Sequence, residues 1–378
     1  MNLPNDIVQL FELFNKHGFK LYIIGGAVRD YLLDRTIKDY DFATTATPND
    51  MLEILNGYVV DSYQSKIGSI KIHLNKQVYE ITTFRKECGV KDFRYPEKIE
   101  YVNELKEDVL RRDFTVNSLA YSIDEGIVDY LDGVNDLNNK VIRFINDTKL
   151  SIHIDPIRII RALRFSLLLH FNISCNDLNI LTDFAYLVKN LSKIKYDELF
   201  KLFEIAGCKE FILKHFDIYK EAYPELNNKL FINVLNSNLD ETNLKYVLQY
   251  FIKDNLNLKK LDMKILYGLN NIDLNIDDLY HTKLLMIEYQ KEIYTILNIL
   301  ESFGYNVNKL KDNINIVKKE NHCLSISELD ISYKDLQDLD INVKDYSKIF
   351  KYLLKCVLVD YKLNEKHKLI ELLKKGDF

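Results

Sequence analysis

Hydrophobic residues change their spacing along this chain, and the change divides it. Ile7, Leu10, Phe11, Leu13 and Phe14 recur at helical intervals up to Gly18, which predicts an amphipathic helix ended by glycine. The apolar run in KLYII (20–24) predicts a strand, and AVRDYLL (27–33) the helix after it. SIKIHL (69–74) alternates apolar with polar and predicts a half-buried strand, with QVYEITTF (77–84) as the next one. Beyond Ile152 helical periods take over, glycine nearly vanishes, and Leu, Lys, Asn and Asp fill the sequence. The expectation is a head that mixes helix and strand, followed by an all-helical body. No internal repeat interrupts that pattern.

Composition narrows the picture without naming a chemistry. At 378 residues the chain exceeds what one core ordinarily serves, and about two to four domains are expected. Hydrophobic residues at 47% suffice for packed cores. A formal charge of −5 does not advertise a nucleic-acid partner, nor exclude one, because such binding needs only a local basic face. None of the five cysteines stands in a CxxC, so neither a zinc site nor a disulfide framework is indicated. The N-terminus reads as an amphipathic helix rather than a signal peptide, and no apolar run approaches the ~18 residues of a membrane span. A reduced cytoplasm is the expected location.

The candidate chemistry begins with KDYDFAT, which sets Asp39 and Asp41 at i and i+2. On a strand these carboxylates share one face, and they repel unless a cation sits between them; a hard divalent cation is the usual solution, a solvated strand end the bland one. The context favours the cation. Gly25 and Gly26 follow the apolar strand and open a helix, a turn that lets backbone N–H groups approach a phosphate. Arg29 falls in the first turn of that helix, within reach of phosphate oxygens. Paired carboxylates beside a phosphate cradle point to phosphoryl or nucleotidyl transfer assisted by two cations.

GGAVRD (25–30) followed by DYD (39–41) resembles the nucleotidyltransferase head of the polymerase-β superfamily, in the branch of class II tRNA nucleotidyltransferases (CCA-adding enzymes) and bacterial poly(A) polymerases. Three later stretches match the same family in order. In EDVLRRDFTVNSLAY (107–121), Arg111 and Arg112 read as preceding a helix capped by Asp113, and the resemblance implies that Arg112 contacts the nucleotide. The turn after it, DGVNDL (132–137), is assigned a structural role in which Gly133 supplies the bend. In DPIRIIRALRF (155–165), Pro156 suits a first helical turn after an acidic cap. There Asp155, Arg158, Arg161 and Arg164 trace a polar stripe, with Ile159, Ile160 and Leu163 on the other side. Three arginines and no lysine, in a lysine-rich chain, argue for planar forked donors rather than a merely solvated surface.

An Asp–Arg pair can read a base edge. Asp155 would accept from the N4 amine of cytosine or the N6 amine of adenine, while Arg158 donates to N3 and O2 or to N1; uracil and guanine offer a carbonyl and an N–H at those places. In the resembling family these positions form a protein template, with the later arginines holding base and triphosphate. The acidic residue usual before Asp155 is here Ile154. In LSKIKYDELFKLF (191–203), Ile194 and Lys195 replace an acidic residue and an arginine, Glu198 is retained, and the segment reads as a buttress for the template helix.

By resemblance the fold is α+β: a polymerase-β-like head over residues 1–145, then a helical neck (146–205), body (206–310) and tRNA-binding tail (311–378). The implied activity is template-independent addition of C, C and A to tRNA from CTP and ATP. Asp39 and Asp41 would hold Mg2+ and act as the catalytic carboxylates, with Glu80 and Asp113 both candidates for a further one. Gly26, Arg29, Arg112, Asp155, Arg158, Arg161 and Arg164 would bind the nucleotide. The segment 82–102 reads as a mobile head loop of full length, which favours complete CCA addition over partial addition. No His is followed by Asp, so the HD phosphohydrolase domain of some relatives is not expected. The tail lacks the glycines usual in its middle. A poly(A) polymerase shares the head motifs, and a non-catalytic RNA-binding protein on the same fold is the rival of another class.

Overall fold

The structure, a computed structural model, describes residues 1–89, 97–252, 260–339 and 341–375. It comprises two compact units, Met1–Pro224 and Glu225–Phe378. In the first, α1 (Asn5–Lys16) leads to β1 (Leu21–Ile24), α2 (Gly26–Leu32), β2 (Asp41–Thr44), α3 (Pro48–Ile54), β3 (Val59–Asp61), β4 (Ser69–Leu74) and β5 (Gln77–Thr83). A ribbon of β6 (Arg85–Cys88) and β7 (Lys98–Tyr101), then α4 (Leu105–Val109), β8 (Ala120–Ser122), β9 (Gly126–Val128) and α5 (Gly133–Asn139), complete the head. The main sheet has the order β3-β4-β5-β2-β1-β8-β9; β2 and β5 run parallel, and the other neighbours antiparallel.

Both faces of the sheet are covered. Ile7, Leu10, Phe11 and Phe14 form the buried stripe of α1, and Phe11 meets Phe42 of β2 edge-on at 6.2 Å. The next residue along β2 faces the other way: Ala43 packs with Tyr22, Ile24, Phe84 and, from α4, Leu105 and Val109. α3 starts at a reciprocal cap between Thr47 and Asp50 with Pro48 in its first turn, a combination that fixes where a helix can begin.

Past the head come α6 (Thr148–Ile154), α7 (Ile157–Leu169), α8 (Cys175–Phe184), α9 (Ile194–Phe203), α10 (Cys208–Lys214) and α11 (Phe216–Ala222). The second unit is helical, from α12 (Lys229–Leu235) and α13 (Leu244–Phe251) to α19 (Tyr346–Val359) and α20 (Lys366–Lys374), where Leu353, Val357, Leu369 and Leu336 close a buried cluster. Among the described residues, only the isolated bridge Val141–Asn172 adds sheet pairing after Ile152. None of the described helices is long and apolar enough to cross a membrane.

Four local expectations are corrected. Segment 82–102 is not a plain loop: its ends lie in β5 and in the β6–β7 ribbon, held by the pairs Arg85–Tyr101 and Cys88–Lys98, and residues 90–96 lie outside the described residues. Arg111 and Arg112 follow a helix, α4, instead of preceding one; a 3₁₀ turn at Thr115–Asn117 comes after them. Pro156 sits at the N-cap of α7 and not inside its first turn, while Asp155 ends α6 and its Oδ1 accepts the Ile157 amide at 3.3 Å.

The fourth concerns Gly133. The left-handed residue of that turn is Asp132, at φ 61°, so Gly133 does not supply the bend. Close approach demands it instead: a Cβ there would lie 2.4 Å from the Thr115 carbonyl oxygen. Gly133→Ala is therefore expected to lower stability by about 1–3 kcal/mol, the usual cost of overpacking, read as a lower thermal midpoint. An unchanged midpoint would contradict the contact.

Candidate active site

β1 carries the chain to Ile24, and Gly25 then turns it sharply, at φ +69°, into α2. A Cβ at Gly25 would also approach the Asn117 carbonyl oxygen at 3.4 Å. Turning the chain away there ends the β1–β2 ladder at Ile24–Asp41. For that reason β2 begins at Asp41, and Asp39 precedes the strand rather than sharing it. Asp41 pairs in register with Glu80 of the parallel strand β5. Although open to solvent, the Asp41 carboxyl is raised in pKa, first by desolvation, then by the negative charge of Glu80, with Asp39 adding to it and Arg112 and Lys71 opposing. Such crowding of carboxylates is relieved by a cation.

All nine residues expected at the site line one cavity of about 790 Å³: Gly26, Arg29, Asp39, Asp41, Arg112, Asp155, Arg158, Arg161 and Arg164. Lys38 and Lys201 lie on its wall as well. Among the described residues no cluster of three or more His, Cys, Asp or Glu is arranged to cage a metal. The donor set at Asp39 and Asp41 fits a hard cation that takes its other ligands from water and substrate phosphate, which is how magnesium is usually held.

The cations differ in how fully the protein occupies them. Arg112 Nη2 donates to Asp108 Oδ2 at 2.9 Å, and its Nε is buried with no hydrogen-bond partner. An N–H left so costs about 1–3 kcal/mol. Arg158 Nη2 donates to the Arg111 carbonyl at 2.7 Å. Arg29, expected at phosphate oxygens, donates through Nε to Asp30 at 2.9 Å and through Nη1 to Asn117 at 2.6 Å. Arg161 and Arg164 both reach Glu198 of α9. Phe165 lies under Arg29, Arg161 and Arg164, with guanidinium carbons 5.1, 5.5 and 4.3 Å from its ring centre.

Asp113 does not stand free as a further carboxylate. Its Oδ1 accepts the Phe114 amide and Asn117 Nδ2, and its Oδ2 accepts Arg161 Nε at 2.8 Å. Glu80 is the in-register neighbour of Asp41, but it does not line the cavity and lies 3.8 Å from Lys71 Nζ. Sequence reasoning missed Asp108: fully buried, it accepts Arg111 Nε and Arg112 Nη2 and so orients the Arg-Arg pair. An acidic residue three and four positions before two arginines was the available signal.

Burial alone would raise the pKa of Asp108, Asp113 and Glu198. The neighbouring guanidiniums overcome it and hold all three below the ordinary carboxylate range. A depressed folded pKa contributes stability that is present above the unfolded value and lost as pH falls through the folded one. The thermal midpoint should therefore drop as pH is lowered below about 4, and Asp113→Asn should flatten that drop. A midpoint insensitive to acid in the parent protein would contradict these pairings.

Residues 21–143 match the model of the poly(A) polymerase head domain. The mixed sheet and the glycine turn lie within those matched residues. The CCA-adding enzyme of Enterococcus faecalis is 37% identical over 193 residues, half of this chain and 47% of the relative, so the chain spans about half the length of that curated relative. That of Ligilactobacillus salivarius is 29% identical over 405 residues and aligns across 99% of this chain and 98% of its own. The crystal structure of the Bacillus stearothermophilus CCA-adding enzyme in complex with CTP superposes with a TM-score of 0.64 at 21% identity, over 98% of this chain and 97% of that one. These relatives and this solved structure are all CCA-adding enzymes, and the chain is similar to them over half of its length or more.

Proposed function

We propose that this protein adds C, C and A in turn to tRNA 3′ ends from CTP and ATP, without a nucleic-acid template and with release of pyrophosphate. One observation carries the reading: Asp155 and Arg158 stand on the same cavity as Asp39 and Asp41, so a base-reading pair and a carboxylate pair can engage one nucleotide. Asp155 accepts from the exocyclic amine of cytosine or adenine, and Arg158 donates to the ring acceptors. Arg112, on the wall of the same cavity, would contact the nucleotide. Asp39 and Asp41 would hold Mg2+, which when bound supplies a lowered pKa at the attacking 3′-hydroxyl and charge neutralisation at the leaving pyrophosphate. The bond that forms joins the tRNA 3′-oxygen to the α-phosphorus; the bond that breaks releases pyrophosphate.

The head-domain match is common ground with poly(A) polymerases, which keeps poly(A) addition as the second reading. Purified protein should be given tRNA ending before the first C, the second C or the A, with each triphosphate separately. The expected result is C on the first two acceptors and A on the third. Extension of all three acceptors by many A residues would favour the poly(A) polymerase, and extension by none would remove both.

A further inference from the structure

Among the arginines of α7, Arg161 is the one held from two sides by different elements. Its Nε and Nη2 meet Asp113 Oδ2 at 2.8 and 2.7 Å, and its Nη1 lies 3.4 Å from Glu198 Oε1 of α9. Each carboxylate is itself anchored. Asp113 is tied through Asn117 to Arg29 at the glycine turn, and Glu198 accepts Arg164 Nε at 2.8 Å and Lys201 Nζ at 3.0 Å. A continuous series of charge-assisted bonds thus runs along the cavity wall from α2, through Arg161, to α9. Arg158, one turn earlier on α7, is engaged through Nη2 with a backbone carbonyl.

A forked guanidinium already shared between two anchored carboxylates is poorly suited to follow a triphosphate. It is well suited to fix how α7 is rolled about its axis. That roll matters at the base: about 20° moves a side-chain tip ~6 Å from the helix axis by about 2 Å, enough to break a hydrogen bond. We propose that Arg161 is a positioning residue for base selection, a strut between Asp113 and Glu198 that aims Asp155 and Arg158, rather than a ligand of the triphosphate. This rests on the reading of the site as a nucleotide-adding one.

The test uses the full chain with Arg161→Lys, Glu198→Gln and the double variant, assayed well below each thermal midpoint. The readouts are single-nucleotide incorporation with all four triphosphates and inhibition by inorganic tripolyphosphate. Arg161→Lys keeps a charge but loses the fork, and Glu198→Gln keeps the shape but loses the charge. Each should lower discrimination of CTP over UTP and of ATP over GTP by about tenfold or more, the scale of one charge-assisted hydrogen bond. The double variant should be little worse than either single one, because both break one strut. Tripolyphosphate inhibition should stay within about twofold of the parent in every variant, well short of the roughly tenfold step set by a lost ionic contact.

Selectivity kept in both single variants overturns the proposal. So does tripolyphosphate inhibition weakened tenfold in Arg161→Lys with selectivity intact, which would make Arg161 a phosphate ligand. Should Arg161→Lys fail to fold, Glu198→Gln decides alone on the same criterion. A parent protein that incorporates none of the four triphosphates overturns the functional reading itself and the strut with it, a result distinct from either of the others.

Discussion

Asp39→Ala and Asp41→Ala are each expected to lose incorporation of C and of A together, by about a thousandfold or more, while tRNA binding stays near the parent level. The magnitude follows from the chemistry assigned to the pair: charge stabilisation worth several kcal/mol, at about 1.4 kcal/mol per tenfold in rate. Both side chains line the cavity, and the pKa of Asp41 is raised first by desolvation and then by the negative charge of Glu80. Loss of C and A alike is the informative feature, since a defect in base reading would separate the four nucleotides and a defect in catalysis would not. Titration of Mg2+ at fixed nucleotide adds a second readout, with the variants losing the parent's response. Near-normal turnover by either variant in magnesium would mean that the pair is only a solvated strand end.

The second large effect belongs to Asp155. Asp155→Ala removes the acceptor for the exocyclic amine, the group that separates cytosine and adenine from uracil and guanine. A charge-assisted hydrogen bond of this kind is worth roughly 1.5–3 kcal/mol, or about ten- to a hundredfold in selectivity. The variant should accept UTP and GTP relative to CTP and ATP by that factor more than the parent does. Arg158→Ala should instead weaken both correct nucleotides, because its donors serve each of them. Single-nucleotide incorporation with all four triphosphates reads both outcomes, and wild-type rejection of UTP and GTP by Asp155→Ala would mean that α7 is not the template. The burial of Arg158 and Arg164 already sets this helix apart from one whose arginines are simply solvated.

Residue types at short range made much of the site legible. Two glycines after an apolar strand, two aspartates one residue apart, and arginines every third residue are local patterns, and each lies on the same cavity. The partners were not legible, because they come from far along the chain. Arg161 meets Asp113 from 48 residues away, and Arg164 meets Glu198 from 34. No spacing rule joins them; only the packing of α7 against α9 and the head does. Hence Asp113 read as a candidate catalytic carboxylate when its oxygens are in fact taken up by Arg161, Asn117 and a backbone amide. Gly133 misled for a related reason: a glycine beside an aspartate suggests a bend, whereas the requirement is set by a carbonyl oxygen that only the folded chain brings close. The helix-then-strand order of the head was readable from periodicity, yet the short ribbon β6–β7 was hidden by the charge of its residues, which reads as loop.

The most direct test of the central claim gives purified protein, with magnesium and all four triphosphates, a tRNA transcript that ends one residue before the first C, and sequences the 3′ ends. Selection of nucleotides by Asp155 and Arg158 on one cavity with Asp39 and Asp41 predicts ends that read CCA and stop, with U and G rare. Ends carrying runs of A, or all four nucleotides in proportion to their supply, would contradict it.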